Sequence, residues 1–390
     1  MKKLLLATAI AALSVSAANA APQVYGKAFV TADYVNIDIN DRYSNTLGDV
    51  DNNDFDENTV EINSHASRLG FKGSEAISAN TDLIYQLEYG IKVDGDNGSN
   101  DVAFKSRDTF LGVKNKDFGE FRVGRNTSVL DYVNNVTVTQ GYWDNLGSNT
   151  LSDDSDIIEA LNMVSDSRQN NSVVWIAPKY NGVPVELALQ YAADEKFVDS
   201  NNGYGASLMF DQGTGFTAGL AYTKDMDANG GPFYNYITDE VIASRKGDII
   251  RGTVTADLGK YMAAPVTLGA LYQVADFDYA GSTKEKGLVV SGEMGLTNFA
   301  KPASVYLQYN RTDNLSGVDN FDSNQVVLGG KYKYKPNMIA HAYVGQNSAK
   351  GDYNNTFAAD AFGPGSPAFT ETGSLDADAF AIGGGLEYIF

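Results

Sequence analysis

Carboxylates gathered on one stretch are the first chemistry this chain offers. Residues 127–166 carry Asp131, Asp144, Asp153, Asp154, Asp156 and Glu159, and not one Lys or Arg. The stretch is 40 residues long and lacks a convincing period-two pattern. A connection of that length in a compact domain is usually functional or disordered. Covalent chemistry has far less to work with. The only histidines, His65 and His341, lie far apart and in no hydrolase or metal motif, and there is no cysteine. A barrel phospholipase would need a Ser/His constellation, and a thiolate metal site or disulfide would need cysteine. The runs at 49–54 and 94–97 are rich in Asp and Asn. They lack the full spacing and downstream glutamate of a calcium loop, so they read as exposed acidic loops. No phosphate-cradling glycine motif occurs. Neither enzymatic activity nor a cofactor nor a bound metal is expected.

What positions these carboxylates depends on the rest of the chain. Lys2 and Lys3 precede an apolar run at 4–13, and Ala18-Asn19-Ala20 has the form of a signal-peptidase site. Residues 1–20 are therefore expected to be a cleaved leader, and 21–390 a single domain. Without Lys2 and Lys3, 27 basic residues face 49 acidic ones, a net charge of −22. Such a polyanion repels nucleic acid. After the leader no 18-residue apolar run follows, which excludes a helical membrane protein. The 23 Tyr, 19 Phe and 39 Gly suit a large sheet.

Alternation decides the fold class. Leu83, Tyr85, Leu87, Tyr89 and Ile91 share one parity, and Asp82, Gln86, Glu88 and Lys92 the other. Phe216, Ala218, Leu220 and Tyr222 repeat the rhythm, as do Val305, Leu307 and Tyr309, and Ile382, Leu386, Tyr388 and Phe390. A period of two sends successive side chains to opposite faces of a sheet. The polar parity is small and wet. Runs of about nine to eleven residues are long enough to cross a bilayer when tilted. Seven short connections alternate with eight long ones, among them 40–60, 95–104, 127–166, 226–244 and 351–375. The reading is all-β: a 16-stranded antiparallel transmembrane β-barrel with short turns on one rim and long loops on the other. A barrel of that size keeps a water-filled lumen.

Several segments resemble the trimeric general diffusion porins of Gram-negative bacteria. They are V-Y-G-K-A at 24–28, S-R-L-G-F-K-G at 67–73, R-D-T-F-L-G-V at 107–113 and D-F-G-E-F-R-V-G-R-N at 117–126, together with the terminal Phe390. The resemblance implies an outer-membrane channel for passive diffusion of small hydrophilic solutes and ions. It also implies a homotrimer set among bilayer lipid and lipopolysaccharide, and a third long loop, residues 127–166, folded into the lumen. A basic ladder would then be Lys27, Arg68, Arg107 and Arg168, with Arg125 nearby. Lys27 shares parity with Thr31 and Asp33, and Arg68 opposes Leu69 and Phe71, so both suit the lumen. Arg125 has the parity of Phe121 and Val123, which suits a subunit contact or a bulge. The alternation around Arg107 and Arg168 does not decide their side.

On the loop, Gly141-Tyr142-Trp143-Asp144-Asn145-Leu146 resembles the family's G-Y-x-D-x-L. The P-E-F-G-G that follows in the family is replaced by residues 147–151, so its glutamate has no counterpart and Asp144 alone carries over. Asp131, Asp153 or Asp154 could supply the missing charge. The acidic balance points to cation preference. A substrate-specific channel is the alternative, and it would show a line of aromatic residues along the lumen; here the aromatics fall mostly on the lipid-facing parity.

Overall fold

The computed structural model describes residues 22–48, 50–95, 104–144, 161–166, 168–179, 183–194, 202–226, 228–229, 234–235, 240–241, 247–263, 265–278, 282–357 and 367–390. The expected leader, 1–20, lies outside them, and so does Asp153.

Sixteen antiparallel strands close on themselves. In chain order they are β1 (Gln23–Asn45), β2 in two halves (Val50–Ser64 and Arg68–Ser78), β3 (Thr81–Gly90) and β4 (Lys105–Asn115). Next come β5 (Gly119–Thr127), β6 (Arg168–Ile176), β7 (Val185–Ala192), β8 (Gly203–Asp211) and β9 (Phe216–Lys224). Then follow β10 (Gly247–Asp257), β11 (Val266–Phe277), β12 (Glu285–Leu296) and β13 (Ala303–Asp313). The last three are β14 (Asp322–Lys335), β15 (Met338–Phe357) and β16 (Phe369–Ile389). Each pairs with its sequence neighbour, and β1 closes the barrel on β16. Gly26 and Phe390 exchange backbone hydrogen bonds of 2.9 and 3.0 Å at that seam.

The two halves of β2 both lie against β1, with Val30 opposite Ser64 and Lys27 opposite Arg68. Three residues, His65 to Ser67, therefore face two on β1, and Ala66 takes up the excess with φ +45°. This bulge shifts the inward parity from odd residues (Asn63, His65) to even ones (Arg68, Gly70).

Face chemistry follows the alternation. Leu111, Val123, Leu189, Leu220, Val254, Leu307, Leu328 and Leu386 are exposed on the outside, while Gln190, Thr223, Gln273, Ser291, Gln308 and Asn347 are buried on the inside. An apolar exterior around a polar interior is the inverse of a soluble protein and suits lipid.

Two expected loops are strand instead. Residues 40–45, 50–60, 351–357 and 369–375 extend β1, β2, β15 and β16, three of which reach 20–23 residues. At about 3.3 Å per residue these run to roughly 70 Å, far beyond a hydrocarbon core of about 30 Å. Of the run at 49–54 that hinted at a calcium loop, residues 50–54 lie in this wall, pairing residue by residue with β1; residue 49 lies outside the described residues. Asp38 even faces Asp56 on one side and Asp378 on the other. Backbone pairing holds this acidic surface in sheet form against local propensity.

Candidate pore lining

The segment between β5 and β6 lies on the inner face of the barrel, and its hydrogen bonds follow the strands in order. Val129 N donates to Gln190 of β7 (2.9 Å), Asn135 Nδ2 to Thr217 of β9 (2.6 Å), and Val138 N to Gln308 of β13 (2.8 Å). Tyr142 N reaches Tyr343 of β15 (3.2 Å), and Trp143 Nε1 donates to the Ala381 carbonyl of β16 (3.3 Å). A return leg retraces the wall. Asn162 donates to Gln325 of β14 (3.0 Å), Val164 N to Glu285 of β12 (2.8 Å), and Gln273 of β11 to the Val164 carbonyl (2.6 Å). Ser165–Asp166 then pairs with Ala228–Asn229. Residues 145–160, between the legs, lie outside the described residues.

Apolar contacts reinforce this path. Leu130, Val133 and Val164 pack on Ala221, Ile249 and Ala275; Val136 and Met163 pack on Leu271 and Val289. Glycines provide the seats: a Cβ on Gly205, Gly219 or Gly287 would fall within 2.6 Å of Val129, Val133 or Met163. The molecule's core thus sits inside the barrel, between loop and wall, and not along a separate layer.

The tip, Gly141–Trp143, is a single 3-10 turn that interlocks with β15. Gly141, at φ +64°, leaves room for the Tyr343 ring, and Gly345 leaves room for Trp143, whose Cε2 would lie 2.5 Å from a Cβ there. Large meets small twice, two residues apart on each side. Tyr142 and Trp143 are buried with Val35, Ile37, Tyr306 and Val327 around them. These anchors deliver Asp144, the next residue, to the neighbourhood of β1. Burial pushes its carboxyl above the usual carboxylate range; Lys27, His65 and Arg107 act against that, and Glu387 adds to it. A raised carboxyl pKa means that the negative charge is lost sooner as pH falls. Ion selectivity should therefore drift away from cations at mildly acidic pH, above the range of an ordinary Asp. Reversal potentials measured against pH should lose that component in Asp144→Asn; an unchanged profile would remove Asp144 from the lining.

Across from the tip, β2–β6 present the basic residues. Lys27 of β1 stands over the Phe29 ring at 5.4 Å and makes no ion pair among the described residues. Arg107 Nε lies 2.8 Å from Glu88 Oε1, Arg68 Nε lies 3.8 Å from Glu88 Oε2, and Arg168 Nε lies 3.1 Å from Asp108 Oδ1. Lys27, Arg68, Arg107 and Asp144 are thus brought together, with Arg168 beside them on Asp108. Arg125 sits at a register shift between Gly124 and Asn126, donating to the Ser106 carbonyl (3.0 Å) and to Asn170 (2.6 Å). Asp131 opens a short turn, Asp131–Val133, on the outbound leg and is not at the tip.

Sequence reasoning missed three groups here. Arg122 faces inward, over the Phe110 ring at 4.7 Å and 2.6 Å from Glu120. Glu88 and Asp108 sit among the arginines as their counter-ions. The two histidines flank one ring, Phe29, at centroid distances of 5.7 and 4.7 Å. His65 Nε2 lies 2.8 Å from Thr31 Oγ1, and His341 Nε2 lies 3.1 Å from Glu387. Parity on β1 and β2 could have placed His65; nothing local marks His341.

Comparison with known proteins agrees with this architecture. A family model described as Gram-negative porin matches residues 7–352. Outer membrane porin N of Escherichia coli (strain K12) is 26% identical over 378 residues, covering 87% of this chain and 91% of that one. Among solved structures, the anion-selective porin from Comamonas acidovorans is similar in fold, with a TM-score of 0.60 and 17% identity over 95% of this chain and 100% of that chain. OmpT of Vibrio cholerae, in a trimer form, gives 0.53 and 17% over 93% of this chain and 99% of that chain. With the family model spanning most of the barrel, the chain belongs to the Gram-negative porins, outer-membrane proteins of passive diffusion, and is a channel rather than an enzyme.

Proposed function

We propose that the protein is a cation-preferring channel for small hydrophilic solutes and ions, with its waist between the loop tip and the basic residues of β1–β6. The observation that carries this is the path of the loop, which follows β7 to β16 and ends with Asp144 in the field of Lys27 and Arg107. Opposite charges across a narrow lumen set a transverse field, which orients dipolar solutes and penalises apolar ones. Low-dielectric walls strengthen that field, and salt screens it over about 8–10 Å. Lys27, Arg68, Arg107 and Arg168 form one side and Asp144 the other; Asp131 and Asp153 add negative charge along the loop, and Arg125 lies at the margin. The cation preference rests on the acidic excess of the mature chain, 49 acidic against 27 basic residues.

Cleavage after residue 20, insertion beside lipopolysaccharide in the outer leaflet and assembly as a homotrimer complete the proposal. The trimer is supported by the trimer form of the Vibrio cholerae neighbour. Reconstituted protein should insert in three equal conductance steps, and a salt gradient should give a cation-selective reversal potential. An anion-selective sign would overturn the preference, and single steps would overturn the trimer. Liposome swelling across a size series should fall smoothly with solute size; saturation by one solute would favour a substrate-specific channel instead.

A further inference from the structure

The row of arginines would by itself favour anions, yet its charges are already engaged on the wall. Glu88 is buried, takes the Arg107 Nε–H at 2.8 Å, accepts from Tyr25 OH at 3.0 Å, and lies 3.8 Å from Arg68. Asp108 takes Arg168 at 3.1 Å and accepts from Thr127 Oγ1 at 2.8 Å. One row below, Glu120 takes Arg122 at 2.6 Å and Lys114 at 3.3 Å. Arg68, Arg107, Arg122 and Arg168 therefore each meet a counter-ion on their own side of the lumen, before any loop carboxylate is considered. A pair held at 3 Å acts on a passing ion as a dipole, and its field falls off well within the Debye length. An unpaired guanidinium on a low-dielectric wall would instead focus its field into the pore.

We propose that Glu88 and Asp108 are selectivity-determining residues of this channel: by pairing with Arg107, Arg68 and Arg168 they offset two of the three guanidinium charges of the row. That leaves one guanidinium charge, spread over Arg68 and Arg107, with Lys27 and Asp144 to act on the passing ion. This rests on reading the lumen as cation-preferring, and it assigns that preference to two wall carboxylates that the loop motif does not include.

The test is the reversal potential of purified, reconstituted protein in a salt gradient, for wild type, Glu88→Gln, Asp108→Asn, the double variant Glu88→Gln/Asp108→Asn, and Glu88→Gln/Arg107→Gln. Each single carboxylate variant should lower the cation-to-anion permeability ratio by about threefold, and the double variant should reverse its sign, because the row of three guanidinium groups then loses both of these wall carboxylates. Removing Arg107 together with Glu88 should restore most of the wild-type ratio, an outcome a merely structural role would not produce. Glu88→Gln removes a carboxylate from beside a buried guanidinium and could fail to insert. Asp108→Asn at a partly exposed pair and the charge-balanced Glu88→Gln/Arg107→Gln carry the test in that case. Ratios that stay at the wild-type value in Asp108→Asn and in the double variant overturn the inference. An anion-selective wild type would overturn the cation reading, while the direction of the shifts would still judge Glu88 and Asp108.

Discussion

Gly345→Leu should cut single-channel conductance by about half or more and raise open-channel noise, because it evicts Trp143 from its seat on β15. A Cβ at 345 would stand 2.5 Å from Trp143 Cε2 and 2.8 Å from Nε1, so even the first added carbon demands movement. The ring cannot slide along the wall. Its Nε1 is bonded to the Ala381 carbonyl, and Val35, Ile37, Tyr306 and Val327 close the surrounding space. The remaining direction is toward the lumen, which carries the tip and Asp144 with it. Losing the buried contacts of a Trp costs about 3–5 kcal/mol, enough to make the docked tip a minority state. Gly345→Ala should act the same way and more weakly. The decisive comparison is Gly345→Leu with Trp143→Ala, where the leucine occupies the vacated volume and conductance should return toward wild type. Bilayer recordings check all three. Wild-type conductance in Gly345→Leu would mean that the tip does not border the ion path.

That interlock also shows what the sequence could and could not reveal. Residues 216–224 were readable as strand because one parity is apolar and goes to lipid, a signal that needs no partner. The position of the long acidic segment was legible for the same reason: strands on either side bracket it. Its attachment was not. Gly205, Gly219, Gly287 and Gly345 read only as small residues on a wet face, and their purpose appears once Val129, Val133, Met163 and Trp143 are seen to fill them. Leu271 and Val289 were hidden because both neighbours in sequence are apolar too, so the alternation that marks an inward face is blurred there. Residues 40–60 looked like loop because Asp and Asn favour turns, while pairing of 40–45 with β16 and of 50–60 with β1 overrides that preference. Glu88 was seen as one more polar residue opposite Leu87. Its counter-ion comes from the next strand, and no spacing rule announces it.

Charge pairing and loop docking meet at Asp33, and the last prediction concerns it. Its carboxylate is fully buried on β1 and accepts from Thr31 Oγ1 (2.5 Å), Asn63 Nδ2 (3.0 Å) and Tyr343 OH (2.6 Å), with His65 Nε2 at 3.5 Å. Tyr343 belongs to β15, so this bond passes over the whole of β16. It can do so because the intervening residue is Gly383, opposite both Asp33 and Tyr343 in the ladders. A Cβ there would fall 1.8 Å from Asp33 Oδ1. Tyr343 OH in turn accepts from Tyr142 N at 3.2 Å, so one chain of hydrogen bonds runs from the loop tip to the strand that closes the barrel. Asp33→Ala takes an acceptor from three buried donors, at up to about 1–3 kcal/mol each, although Asn63 keeps Glu61 at 3.1 Å and Thr31 keeps His65 at 2.8 Å. The expected result is a loss of several kcal/mol, read as a lower thermal midpoint of the folded barrel in detergent. Gly383→Ala should reproduce much of that loss without removing a polar side chain, by pushing the Asp33 carboxylate off its partners. Both variants should also loosen the tip, so that gating noise rises together with the fall in stability. A Gly383→Ala barrel as heat-stable and as quiet as wild type would mean that the Asp33–Tyr343 contact holds neither the seam nor the loop.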